Sequence, residues 1–262
     1  MEVVILAGPA EVGAHTAALI ARRSAASPEM VLGIATGSSP MGTYRELARL
    51  RAQGTVDFDH MRCFALDEYV GLPRQHPASY GVVVAREVTT ALGLEPANVS
   101  TPDGSAADLH QACRDYEASL TAAGGVDLQI LGIGRNGHIG FNEPMSSLAS
   151  RTRIKRLSAQ TRADNARFFP PGESVPTHCI TQGLGTIMEA REIVLVAQGE
   201  AKAKALAAAI EGPVASACPA SLLQFHPHVT MVLDEAAASQ LTLTDHYRSD
   251  EESTPCFAGR PL

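Results

Sequence analysis

Short, mostly apolar runs alternate along the chain with longer stretches in which apolar and polar positions recur at helical spacing. The short runs, at 3–6, 30–34, 61–66, 126–131, 192–197 and 229–233, predict strands. The longer, alanine-rich stretches, at 11–24, 41–51, 79–92, 109–122 and 202–211, predict amphipathic helices. Strands alternating with helices of about a dozen residues imply βαβ units. The expected fold is α/β, a three-layer sandwich with a mainly parallel central sheet, in one domain over 1–262. In such sheets ligands bind beyond the carboxyl ends of the strands, so functional residues belong just after the apolar runs. The stretch 144–172 is the least regular, is rich in arginine, and is expected to form a lid or a surface insert. The last dozen residues, with Pro255, Gly259 and Pro261, read as a loose tail.

Composition narrows the partners. With 262 residues, 45% of them hydrophobic, the chain is long enough for one large core. Its net charge of −7 argues against a general binder of nucleic acid or of acidic membranes. An anionic small molecule remains compatible, because a local site can be basic on an acidic protein. Five cysteines without a Cys-x-x-Cys pair fit reduced thiols in a cytoplasmic protein, and supply neither a disulfide framework nor a metal cluster. No basic region precedes the first apolar run, and no apolar segment approaches the roughly 18 residues needed to span a membrane.

Four segments that follow predicted strands or join the irregular stretch carry candidate chemistry. Ala35-Thr36-Gly37-Ser38-Ser39-Pro40 offers hydroxyls and backbone N–H groups at a helix N-terminus, which suits an anion; it is also compatible with an ordinary strand–helix turn. Gly37 and Gly42 have P-loop spacing, but no Lys-Ser/Thr pair follows them. Leu66-Asp67-Glu68-Tyr69 places two adjacent carboxylates at a strand end, where one can act as a general base and the other can brace the loop, unless both lie in a solvated turn. In the segment from Gly132 to Pro144 the first half satisfies Gly-x-Gly-x-x-Gly. A dinucleotide loop is nevertheless not expected, since Gly140 and Pro144 interrupt any following helix and no acidic residue lies between Glu143 and Asp164. Instead Asn136, His138 and Glu143 fall close together, and a histidine near a carboxylate can be held in one tautomer as a proton carrier. Lys202, after the run at 192–197, and Arg167, in the irregular stretch, would complete a phosphate cradle if they converge and are surface charges if they do not.

Taken in order, these pieces resemble the glucosamine-6-phosphate deaminase family over nearly the whole chain. The matching residues are Thr36-Gly37-Ser38-Ser39-Pro40, Leu66-Asp67-Glu68-Tyr69-Val70-Gly71-Leu72, Gly137-His138-Ile139-Gly140-Phe141-Asn142-Glu143-Pro144 and Ser147-Leu148-Ala149-Ser150-Arg151-Thr152-Arg153, with Arg167-Phe168-Phe169 and the segment 222–227. The resemblance implies a Rossmann-like sandwich. It also implies a reaction without cofactor or metal, in which glucosamine 6-phosphate and water give fructose 6-phosphate and ammonia. It assigns ring opening to His138, with Glu143 as its carboxylate partner. It assigns proton transfer from C2 to C1, through a cis-enolamine, to Asp67. It assigns the grip on the 6-phosphate to Ser38 and Ser39 in the Gly37 turn, with Arg167 and Lys202. Fixing one end of an open-chain sugar orients the other.

The chain departs from the family at Asn136, where many relatives carry aspartate. Asparagine can orient His138 by a hydrogen bond but cannot stabilise an imidazolium by charge, so Asn136 is expected to be a variant member of the ring-opening group. Ser146, Arg153 and Lys155 match positions that, in hexameric members, are associated with the effector N-acetylglucosamine 6-phosphate; alternatively this basic run braces the lid. The partners expected are a sugar phosphate and, by resemblance, that effector and further copies of the chain, with no nucleic acid and no membrane. Two rival readings stand beside the deaminase. One is a 6-phosphogluconolactonase-like hydrolase, whose loop reads Gly-x-Asp-Gly-His-Thr without Phe-Asn-Glu-Pro. The other is a non-catalytic sugar-phosphate sensor, which loss of Asp67 or His138 would favour; both residues are present.

Overall fold

A computed structural model describes residues 1–253, so the expected tail with Pro255, Gly259 and Pro261 lies outside the described residues. The strands are β1 (Glu2–Leu6), β2 (Val31–Ile34), β3 (Arg62–Ala65), β4 (Asp67–Tyr69), β5 (Val99–Ser100), β6 (Leu128–Leu131), β7 (Arg153–Arg156), β8 (His178–Thr181), β9 (Glu192–Ala197) and β10 (Val229–Asp234). Seven of them form one sheet in the order β1-β10-β9-β6-β2-β3-β5, and every neighbouring pair in it is parallel. Every residue of β2 and β6 is buried, and all but the first of β9. These strands fall in the apolar runs, and β6 buries even Gln129, because a central parallel strand is covered on both faces.

The helices expected from the sequence are present. α1 (Pro9–Ala26) starts with Pro9, whose fixed φ suits the first turn, and buries Val12, Thr16, Ala17 and Ile20 against α2 (Met41–Ala52) and the sheet. The single helix expected over 79–92 is instead α3 (Tyr80–Val84) running into a π-helical stretch, Ala85–Thr90. There the Thr89 and Thr90 hydroxyls donate to the carbonyls of Val84 and Ala85, five residues back, at 3.4 and 2.9 Å. Such side-chain competition for helix carbonyls goes with a widened turn. α4 (Leu109–Ala122) is capped by Asp108, whose side chain accepts from the Gln111 N–H.

The irregular reading of 144–172 is corrected by the structure. The stretch contains β7 and a short helix, α5 (Ala159–Asn165), capped by Ser158. β7 is the edge of a second, antiparallel sheet ordered β4-β8-β7, which the apolar pattern missed entirely. The two sheets meet at Leu66. Its N–H donates to Ile34 C=O at 3.1 Å, continuing the large sheet, and its C=O accepts from Gln182 N–H at 2.8 Å, beginning the small one. A second apolar cluster, including Tyr69, Phe141, Leu157 and Phe169, fills the space beneath the small sheet.

Candidate active site

Four adjacent strands of the large sheet, β9, β6, β2 and β3, end at one cleft, and each contributes the segment that follows it. Gly37, Ser38 and Ser39 follow β2, Asp67 follows β3, His138 follows β6 and Lys202 follows β9; Arg167 reaches the same cleft from beyond α5. Gly37 has φ +90°, a conformation that favours glycine, and lets the chain turn directly into Ser38. Arg167 Nη2 donates to Ser38 Oγ at 3.3 Å, and Gln198 Nε2 holds the Ser39 carbonyl at 3.1 Å. Burial pushes the Lys202 ammonium below its ordinary range; Asp164 opposes that and the charges of Arg135 and Arg167 reinforce it.

The adjacent carboxylates Asp67 and Glu68 point to different places, as alternation along β4 requires. Glu68 accepts from the N–H groups of Tyr69, Tyr80 and Gly81 at 2.7, 2.9 and 2.8 Å and from Ser79 Oγ at 2.9 Å, so it anchors the start of α3. Asp67 lines the cleft. Burial holds its carboxyl well above the ordinary range, with the neighbouring Glu68 charge adding to this and the Phe141 backbone N–H opposing it. A buried carboxylate of raised proton affinity, without an ion pair among the described residues, is suited to take a proton from carbon.

His138 is held by a chain of two hydrogen bonds. Asn136 Nδ2 donates to Glu143 Oε2 at 2.7 Å, and Asn136 Oδ1 lies 2.7 Å from His138 Nδ1. The Glu143 carboxyl is kept below its ordinary range: burial raises it, but the Thr161 hydroxyl, the Ser158 N–H, His138 and Asn136 together outweigh burial. An ionised carboxylate only accepts, so the amide NH2 must face Glu143 and the amide oxygen must face His138. That oxygen also only accepts, so Nδ1 carries the imidazole proton and Nε2 keeps its lone pair. Burial lowers the proton affinity of His138, against the pull of Glu143, whose Oε2 stands 3.9 Å from Nδ1. The ring lies so close over Gly134 that a Cβ there would come within 2.2 Å of Cε1, which is why glycine is required at that position. Gly137 turns the chain at φ +82°, and no helix follows it, so the Gly-x-Gly-x-x-Gly half does not form a dinucleotide loop.

A family model described as glucosamine-6-phosphate isomerases/6-phosphogluconolactonase matches residues 8–232. The chain belongs to this family. It is 58% identical to the glucosamine-6-phosphate deaminase of Cutibacterium acnes over 95% of each chain. It is 57% identical to that of Arthrobacter sp. over 99% of this chain and 100% of the relative. The solved structure of a monomeric glucosamine-6-phosphate deaminase, 40% identical, superposes with a TM-score of 0.89 over 92% of this chain and 100% of that one. The 6-phosphogluconolactonase of Trypanosoma brucei, at 20% identity and a TM-score of 0.72 over 92% of this chain, shares the fold. A sugar-phosphate ligand is what the family implies for the cleft.

Of the residues singled out in the sequence, Gly37, Ser38, Ser39, Asp67, His138, Arg167 and Lys202 meet at the cleft, with Asn136 and Glu143 ranked behind His138. Ser146, Arg153 and Lys155 lie elsewhere. Ser146 is buried, its hydroxyl donating to Glu143 C=O at 2.6 Å, and Arg153 Nη1 donates to Asn142 Oδ1 at 2.8 Å. Sequence reasoning passed over Tyr80, Arg135 and Asp164, which also line the cleft. Arg135 alone carried a signal, its position inside the glycine-rich segment. Among the described residues no group of acidic, histidine and cysteine side chains could hold a metal ion, and no helix is long and apolar enough to cross a membrane.

Proposed function

We propose that this member of the family is a glucosamine-6-phosphate deaminase, converting glucosamine 6-phosphate and water to fructose 6-phosphate and ammonia in amino-sugar breakdown. The observation that carries the reading is the placement of a buried carboxylate, Asp67, in one cleft with a tautomer-fixed histidine and with cations suited to a phosphate. The high identity to relatives that bear this activity's name supports it. Phosphate-binding and proton-moving groups line the same cleft, which suits the following chemistry. Ser38, Ser39, Arg167 and Lys202 fix the 6-phosphate. His138 Nε2, kept as a lone pair by the Asn136–Glu143 chain, takes the O1 proton and returns one to O5 as the ring opens. Asp67 then takes the C2 proton of the aldehyde, the electron pair forms the C1–C2 double bond, and the carbonyl pair passes to O1, which takes a proton from water to give the enolamine. Return of that proton to C1 leaves an imine at C2, water adds there, and ammonia leaves. No step calls for a redox change, since hydrogen moves between adjacent carbons.

Incubation with glucosamine 6-phosphate should release ammonia and fructose 6-phosphate in equal amounts. Absence of ammonia across pH, with and without N-acetylglucosamine 6-phosphate, would overturn the reading. Hydrolysis of 6-phosphogluconolactone would replace it with the lactonase, and binding without turnover with the sensor.

The reading extends to a cytoplasmic setting, supported by the free thiols Cys63, Cys113, Cys179 and Cys218. It also extends to an effector contact for N-acetylglucosamine 6-phosphate at Ser146, Arg153 and Lys155, formed between copies of the chain. In its favour, Arg153 Nη2 is buried without a hydrogen-bond partner among the described residues. Against it, Ser146 and the other arm of Arg153 are already engaged. Light scattering and rate measurements with and without the effector decide this extension: a rate unchanged by effector and a monomer under both conditions would remove it.

A further inference from the structure

The turn that holds Asn136 also carries a charged side chain, Arg135, that the reaction above leaves unused. The Gly137 N–H donates to Gly134 C=O at 3.0 Å and closes a four-residue turn with Arg135 and Asn136 at its two corners. Asn136 faces inward, to Glu143 and His138. Arg135 is exposed at the cleft, and no hydrogen bond or ion pair engages it among the described residues. Its charge is felt at Lys202 together with that of Arg167, so the three cations crowd one end of the cleft. Asp164 acts on Lys202 in the opposite sense, so around Lys202 two cations stand against this carboxylate. A phosphate monoester above its second pKa of about 6 carries close to two negative charges.

We propose that Arg135 is a third cation of the phosphate subsite, closing its guanidinium on the 6-phosphate and making the site selective for the dianion over neutral sugars and monoanionic esters. This rests on the sugar-phosphate reading of the cleft. The donors of Arg135 suit it: a guanidinium fork matches phosphate geometry, and among the described residues it has no other partner to give up. It also places phosphate recognition and the holder of His138 on neighbouring corners of one turn.

The test uses the full-length protein, Arg135→Ala and Arg135→Lys. Calorimetry with inorganic phosphate and steady-state rates with glucosamine 6-phosphate are measured at two salt concentrations and at pH values either side of the phosphate pKa. The expectation for Arg135→Ala is about a tenfold loss of phosphate affinity and a matching rise in KM that exceeds any fall in kcat. The difference from the unaltered protein should shrink in high salt and in acid, where the ester loses charge, and Arg135→Lys should recover part of the affinity. Phosphate affinity within twofold of the unaltered protein overturns the proposal. So does a loss confined to kcat, which would assign the residue to the shape of the turn. Phosphate binding that depends on Arg135 in a protein that releases no ammonia would sink the deaminase reading while sustaining this one.

Discussion

In the seven-stranded sheet the central strands β2, β6 and β9 are buried along almost their whole length, whereas in the three-stranded sheet the edge strand β7 buries none of its four residues completely. The large sheet is held by apolar contact on both faces. The small one is held by particular polar pairs over a compact aromatic cluster. Glu117 on α4 accepts from Arg151, from the Thr152 N–H at 2.7 Å and from the Thr186 hydroxyl at 2.6 Å, pinning the chain just before β7. Arg153 reaches Asn142, and Tyr69 packs on Phe141 and Phe169 with ring centroids 5.5 and 5.4 Å apart. Asp67 stands at the joint, two residues past the strand that belongs to the large sheet and first in the strand that belongs to the small one. The Asp67 carboxylate thus takes its fixed position from the apolar sheet and its burial from the polar and aromatic cover.

The joint is where substitution should act most strongly. Asp67→Asn is expected to lower kcat/KM about 10³-fold by removing the base. The same variant should be more stable near neutral pH. Because the folded protein holds the Asp67 carboxyl above its unfolded value, the stability tied to this group is complete below the unfolded pKa and is lost as pH rises through the folded one. An amide escapes that loss, so thermal denaturation should show the D67N advantage at neutral pH and its disappearance in acid. An advantage that persists in acid would contradict burial as the cause.

Truncation then separates the two sheets. Ile130→Ala, in fully buried β6, should cost toward the upper part of about 2–5 kcal/mol in urea denaturation, and Leu157→Ala toward the lower part, since the small cluster around it has fewer buried side chains to hold a cavity open. Equal costs would erase the contrast. Glu68→Ala leaves the first N–H groups of α3 without their acceptor and should cost about 1–3 kcal/mol. The smallest effect is expected behind His138. Asn136→Ala frees the imidazole to choose its tautomer and should reduce kcat about tenfold with little change in denaturation midpoint. Unchanged deamination would refute the orienting role.

Much of this was legible in the chain. Asp67 and the Gly132 to Pro144 segment could be found because each follows an apolar run, and a strand's end is where an α/β sheet exposes its ligands. The small sheet could not be found in the same way. β4 reads Asp-Glu-Tyr and β7 reads Arg-Ile-Lys-Arg, so neither shows alternation or an apolar run, and their pairing with β8 is made by backbone groups that every residue possesses. Arg135 was passed over because an arginine in a turn looks alike in sequence whether it meets solvent or a phosphate.

The amino-acid sequence by itself determined the parallel sheet, the helices that cover it and the identity of the groups at its strand ends, because hydrophobic periodicity is a local property that burial acts on directly. Only the tertiary structure decided which of Asp67 and Glu68 turns into the cleft, which end of the Asn136 amide faces His138, and that Arg135, Arg167 and Lys202 share one end of the site. Those choices depend on donors, acceptors and charges brought together from distant parts of the chain, and their energies exist only once the folded chain has excluded water around them.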